Sequence, residues 1–325
     1  FLMEKLIFAT KIKNVINELK PRKIFLERRY EDIVSDFVGN NIEINTFLKK
    51  DLVRDDSDKI KIKFNFGKHP LSFKISKKLY KKIKKNTDSI SSTIYDLSFT
   101  EKDFNKKTII FVEFNTELFS KLFQSLKDYD GIVVLANYRR PTIWNKETLD
   151  IVRNNNCKIF NFERFVSKED KINVKNLSEE FLKKILDFLN NSIELEKFFE
   201  FDGIQLWKTF RDWLIIKYQI QMFDSLLMIS AGKELVEKSD IRCLVSLNDI
   251  GVTEKMFSEL TNCDSIILQH GFKETITDTI RFDKLDYVNF KDKLAVWSKR
   301  RKDELIKNFG IDENKIIVTG SPRHD

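Results

Sequence analysis

The chain has 325 residues, 42% hydrophobic and 33% charged, which excludes a disordered polypeptide and suffices for one large or two medium domains. Its 58 basic and 50 acidic residues leave a net charge of +8. Three cysteines (Cys157, Cys243, Cys263), odd in number and far apart, argue against a disulfide framework and for a reducing compartment. Phe is abundant at 29 and Pro scarce at 4, a compositional bias more than a functional sign. Nothing at Phe1 resembles a signal peptide, and the chain does not begin with Met, as expected of a fragment. The most apolar helical stretch, Trp213 to Ala231, is interrupted by Lys217 and Asp224 and so does not read as a membrane span.

In chain order, apolar residues at helical spacing (Leu6, Ile7, Ile12, Val15, Ile16, Leu19) predict a helix over 5–19, stopped by Pro21. "KIFLE" (23–27) reads as a strand, and "KIKIKFNF" (59–66) alternates as a half-exposed strand does. Between Lys68 and Lys85 there are eight Lys and no Asp or Glu, a run that attracts an anionic membrane surface or a polyanion, or forms a solvated face. "TIIFVEF" (108–114), "GIVVLAN" (131–137) and "CKIFNF" (157–162) predict strands. Helices at Leu118–Leu126 and 146–154 separate them. From about Leu177 to Glu237 no strand is evident. Asn176 and Glu179 suggest a capping box before one helix, and a second long helix follows Gly203.

The alternation then returns. "CLVSLND" (243–249), "SIILQHG" (265–271), "KLAVWS" (293–298) and "KIIVTG" (315–320) predict strands. A helix starts at Thr253, and another is capped by Ser298 and ended by Gly310. This pattern predicts an α/β, Rossmann-like fold, with mainly parallel sheets, helices on both faces and a helical middle segment. The expected division is an α/β subdomain over 1–165, a helical connection over 166–238 and a second α/β segment over 239–325.

Ligands of open α/β sheets bind at the carboxyl ends of the strands. The last four strands exit into Asn248-Asp249, Gln269-His270-Gly271, Ser298 and Gly320-Ser321-Pro322-Arg323-His324-Asp325. Two of the three histidines fall in this set; the third, His69, lies in the basic region. "LQHGF", "DKLAVWS" and "KIIVTGSPRHD", in that order, resemble the GT-B type transferases of surface glycans. That superfamily includes CDP-glycerol glycerophosphotransferases, polysialyltransferases and capsule polysaccharide transferases. The resemblance covers roughly residues 240–325 and is only architectural before that.

It implies transfer from a CDP-, CMP- or UDP-linked donor to a glycan or lipid-linked acceptor, without a cofactor or metal. His270 would be the general base, because an imidazole titrates near neutrality. Asp249 would orient it or a sugar hydroxyl, and Gly271 would let the acceptor approach the backbone. Gln269, Asn248, Ser298, Ser321, Arg323 and Asp325 would line the substrate site, with Gln269 also read as structural. "LANYRRP" (135–141) adds Asn137, Arg139 and Arg140 as an anion site or a surface turn. The resemblance further implies a donor-binding half, either following Asp325 in a longer protein or lost from a chain that is then not a free-standing enzyme, and with it a cytoplasmic location and peripheral contact with the inner membrane face through 68–85. Nucleic acid is a weak third option for the basic run, as no recognition motif accompanies it.

Competing patterns are weaker. The triplets Asp56-Ser57-Asp58 and Asp128-Tyr129-Asp130 are not placed after strands, as a metal-holding pair would be. No Walker A sequence, dinucleotide fingerprint or zinc spacing occurs. Trp207 and Trp213 read as core anchors rather than a sugar platform. Two further readings stand beside transfer: a UDP-sugar 2-epimerase of the non-hydrolysing type, and a non-catalytic glycan-binding or scaffold module.

Overall fold

A computed structural model describes residues 2–35, 37–38, 41–47, 59–66, 69–271 and 290–323. His324, Asp325 and the Asp56–Asp58 triplet lie outside the described residues. The chain divides into two compact units, residues 1–76 with 169–226 and residues 77–168 with 227–325. This differs from the division expected at 166 and 239. Strands on both sides of the helical middle join one sheet, so the chain leaves the sheet after its third strand and returns to it.

The first unit contains helix α1 (Leu2–Leu19), strands β1 (Lys23–Glu27) and β2 (Glu43–Phe47), and the short helix α2 (Glu31–Ser35). β1 and β2 pair in parallel, and Leu26, Tyr30 and Val34 are buried together with Phe8, Ile12 and Ile44 against them. β3 (Lys59–Phe66) and β4 (His69–Ser76) form an antiparallel hairpin.

The second unit opens with α3 (Lys77–Ile94), then β5 (Lys107–Val112), α4 (Ser120–Ser125), β6 (Ile132–Ala136), α5 (Lys146–Asn154) and β7 (Cys157–Ile159). The chain then returns to the first unit, to which α6 (Lys168–Asn191), α7 (Ile193–Phe198) and the part of α8 (Trp207–Lys238) before residue 227 belong; β8 (Glu200–Phe201) and β9 (Ile204–Gln205) form a minimal antiparallel pair between the last two. The capping box expected at Asn176 is therefore not a helix start. Asn176 lies inside α6, whose amphipathic face continues from Val174 through Ser178 to Leu189 and carries the helix past the local signal. β10 (Asp240–Ser246), α9 (Val252–Leu260), β11 (Asp264–Leu268), β12 (Lys293–Val296), α10 (Lys299–Phe309) and β13 (Ile316–Val318) complete the second unit.

Among the described residues, seven strands form one parallel sheet in the order β13-β12-β11-β10-β5-β6-β7. Every residue of β6 is buried and β5 is buried from Ile110 to Val112, the near-continuous apolar run expected of central parallel strands. The chain builds outward from β5 to β7 and then, in the opposite direction, from β10 to β13. Right-handed crossovers in opposite directions place the connecting helices on opposite faces. Phe123 of α4 and Ile151 and Val152 of α5 pack with Phe111, Val133 and Leu135. Leu305 of α10 packs instead with Leu294, Val296 and Ile316. The fold is α/β and Rossmann-like, with helices flanking a parallel sheet.

Ser298 caps α10 by accepting a hydrogen bond from the Arg301 amide, and Gly310 ends the helix in the left-handed conformation at φ 65°. A Cβ at Gly310 would touch nothing within 4 Å among the described residues, so only the backbone penalty opposes a side chain there. Gly310→Ala is expected to lower the unfolding free energy by about 1 kcal/mol. Urea denaturation followed by circular dichroism measures it.

Candidate active site at the strand ends

β5 and β10 are neighbours from which the chain departs in opposite directions, and the crevice beyond their carboxyl ends is the topological switch point where open α/β sheets bind ligands. The residue that leaves β5 there is Glu113, only 1% exposed and held at φ 60°, a left-handed conformation that costs a non-glycine residue about 1–2 kcal/mol. Its Oε1 accepts hydrogen bonds from the amides of Tyr138 (2.7 Å) and Arg139 (2.8 Å) and from the hydroxyl of Thr253 (3.1 Å). Its Oε2 lies 3.5 Å from Arg139 Nε and 3.9 Å from Arg140 Nε. One carboxylate therefore joins the exits of β5 and β6 to the first turn of α9.

A second carboxylate completes the cluster. Glu254, in the first turn of α9, is also 1% exposed. Its Oε1 pairs with Arg139 and accepts from Asn248 Nδ2 at 3.2 Å, while Oε2 has no hydrogen-bond partner among the described residues. The carboxyl group folds back over Gly251, where a Cβ would collide with it. Burial pushes the Glu254 carboxyl above the usual carboxylate range. The Arg139 charge opposes that shift and the Glu113 charge adds to it.

The exit of β11 carries His270. Its ring is half-buried, and Nδ1 lies 2.9 Å from the carbonyl oxygen of Leu247 at the exit of β10. A carbonyl only accepts, so Nδ1 carries a proton, and in the neutral ring the lone pair is on Nε2. The partner of Nδ1 is thus main chain and not Asp249, for which the sequence offers this role or that of orienting a sugar hydroxyl; Asp249 is half-buried one residue beyond Asn248. At Gly271 a Cβ would meet nothing within 4 Å among the described residues, so the backbone is open there. Nη1 of Arg323, from the segment after β13, lies 3.5 Å from the carbonyl oxygen of His270, which brings the ends of β11 and β13 together.

Several expected substrate residues serve the fold. Gln269, 5% exposed, donates to the Gly271 carbonyl at 2.9 Å and accepts from the Trp297 amide at 3.0 Å. Asn248 accepts from the amides of Ile250 and Gly251, and Ser298 caps α10. Ser321 is 9% exposed with a buried hydroxyl. Asn137 is buried and donates to the Phe114 carbonyl and the Thr142 hydroxyl. Arg139 is held by the two glutamates, whereas the ion-pair contact of Arg140 with Glu113 is the longer one at 3.9 Å. Sequence reasoning missed Glu113 and Glu254. The available signal was a single acidic residue closing the apolar run of β5, and an acid three residues after the glycine that precedes α9. Burial raises all three thiols, Cys157 to about 12 and Cys243 to about 11, which leaves them protonated at neutral pH and poor nucleophiles.

No family model matches the chain, and no curated protein does. Among solved structures, the match is to a glycosyltransferase from Rickettsia africae ESF-5, with 12% identity and a TM-score of 0.29 over 67% of this chain and 43% of that one. The match spans less than half the length of that protein. A similarity of this size carries no weight for fold or chemistry, so the site rests on its own residues.

Glu113→Ala removes the acceptor of two amides and a hydroxyl and leaves Arg139 one carboxylate short. It is expected to lower stability by about 3 kcal/mol, read from urea unfolding. Glu254 gives a pH signature of known sign. Between the ordinary glutamate value of 4.5 and its raised folded value, the folded chain keeps a proton that the unfolded chain has released. Stability contributed by this group therefore falls as pH rises through that window. The melting temperature of the native protein should fall relative to Glu254→Gln as pH is raised from 4.5, and parallel curves would contradict the assignment.

Proposed function

We propose that the protein is a GT-B-like transferase of cell-surface polysaccharide synthesis, acting from a nucleotide-activated donor on a glycan or lipid-linked acceptor. The observation that carries this reading is the hydrogen bond from His270 Nδ1 to the Leu247 carbonyl. It fixes the ring and, in the neutral imidazole, leaves the lone pair on Nε2 at the carboxyl edge of a parallel sheet, beside the open backbone of Gly271. Arg323 supplies a guanidinium at the same edge, where a phosphate group of the donor would gain charge-assisted hydrogen bonds.

In this reading Nε2 takes the proton of the acceptor hydroxyl as its oxygen attacks the donor. With a sugar donor, the new bond is oxygen to anomeric carbon and the nucleotide phosphate leaves with the electrons of the broken carbon–oxygen bond. With a CDP-glycerol donor, the new bond is oxygen to the glycerol-bearing phosphorus, and the phosphoanhydride P–O bond breaks with its electrons leaving on CMP. The nucleotide is a substrate in both cases. Asp249, next to the exit of β10, would receive a hydrogen bond from the acceptor, while Glu113, Glu254 and Arg139 keep the crevice in shape.

The test is turnover of CDP-, CMP- and UDP-linked donors by the protein with and without His270→Ala. Replacing a general base is expected to lower kcat by 10²–10⁴-fold, about 3–5 kcal/mol of barrier, with circular dichroism unchanged. Full activity in the variant would remove His270 from the mechanism. An epimerised donor formed without any acceptor, or glycan binding with no turnover, would replace the transferase reading.

A further inference from the structure

Helix α3 is built inside out. Among its described side chains the buried ones are polar: Asp88 is 6% exposed and Ser92 0%. The Asp88 carboxylate accepts from the amides of Thr142 and Ile143 at 3.1 Å, and Arg164 ties Ser89 and Thr93 to Ser98 on the same unit. Its large aliphatic residues are exposed: Leu79 47%, Ile83 47%, Ile90 59% and Ile94 68%. At 3.6 residues per turn these four fall within an arc of about 60°, centred nearly opposite the buried polar side. Ordinary surface helices do the reverse.

The rest of the helix identifies what suits that stripe. The segment from Lys68 to Lys85 has eight lysines and no acidic residue, and within α3 the only acid is the buried Asp88. Lys82 is exposed. An aliphatic stripe on a lysine-rich helix with no exposed carboxylate has the composition of helices that lie in a bilayer interface, aliphatics among the acyl chains and lysines at anionic headgroups. A second copy of the chain would offer no exposed carboxylate on this helix to receive the lysines.

We infer that α3 is a membrane-docking helix that seats its Leu79-Ile83-Ile90-Ile94 face in an anionic lipid surface. The contact does not depend on the transferase reading. If that reading also holds, docking through α3 would bring the sheet's carboxyl edge near a lipid-linked acceptor, because Asp88 binds the loop after β6.

The experiment is co-sedimentation of the protein with vesicles of phosphatidylcholine alone or of equimolar phosphatidylcholine and phosphatidylglycerol, in parallel with sedimentation velocity without lipid. Binding to the anionic vesicles is expected to exceed binding to the neutral ones and to fall with salt. Ile83→Glu with Ile90→Glu should lower the partition coefficient at least about 10-fold with an unchanged melting temperature, since both residues are exposed. Absence of anionic-vesicle binding, or equal binding by the double variant, would overturn the inference. So would a dimer that the double variant dissociates without any vesicle binding, which would make the face an interface between copies. None of these readouts involves turnover, so their failure is separable from failure of the proposed activity.

Discussion

The second unit depends on one buried carboxylate. A parallel sheet whose chain departs in two directions from neighbouring strands has a gap at their carboxyl ends, because the two connections diverge there. In this protein Glu113 fills that gap, accepting from two amides of the β6 exit and one hydroxyl of α9. The left-handed backbone at Glu113 belongs to the same device, since β5 must turn sharply for the side chain to enter the gap. Arg139 then links this carboxylate to Glu254, and Asn248 carries the network to the exit of β10. From there the Leu247 carbonyl holds His270. The histidine is thus set by a chain of contacts that begins two strands away.

Much of the fold was legible because central parallel strands are long apolar runs and their order follows from alternation with helices. "TIIFV", "IVVLA" and "SIIL" behave as read, and Ser298 and Gly310 bound their helix as the capping chemistry requires. Local signals failed where a tertiary surface overrode them. Asn176 has the chemistry of a cap, but the face of α6 from Val174 to Leu189 continues through it. The stretch after Lys77 reads as a solvated lysine run because its large aliphatic residues are exposed; α3 is tied instead through the Asp88 carboxylate to the amides of Thr142 and Ile143.

The site was legible by position and less so by role. Strand ends can be located from sequence, and His270 and Arg323 lie at one edge as that reasoning expects. Which polar groups are already engaged is set by contacts far apart in the chain, and these leave little trace in any window of sequence. Gln269 and Trp297 are 28 residues apart, and Glu113 and Thr253 are 140 apart. Glu113 was hidden for a further reason: at the end of an apolar run, one acid resembles the start of a loop.

This division between framework and reagents narrows the chemistry. A polar side chain whose hydrogen bonds are filled by its own backbone has little left to offer a substrate without unmaking the fold. Asn248, Gln269, Ser298 and Arg139 are in that state. At the same edge, His270 Nδ1 is engaged by the Leu247 carbonyl, Gly271 leaves its backbone open, and among the described residues the guanidiniums of Arg323 and Arg140 lie 3.5 Å from the His270 carbonyl oxygen and 3.9 Å from Glu113 Oε2. A base, an unobstructed backbone and two cations are what removal of a hydroxyl proton beside a phosphate requires. Thiol chemistry would need a sulfur that burial does not hold protonated. The proposed transfer draws on His270, Gly271, Arg323 and Arg140 because the others at this edge are already engaged by the fold.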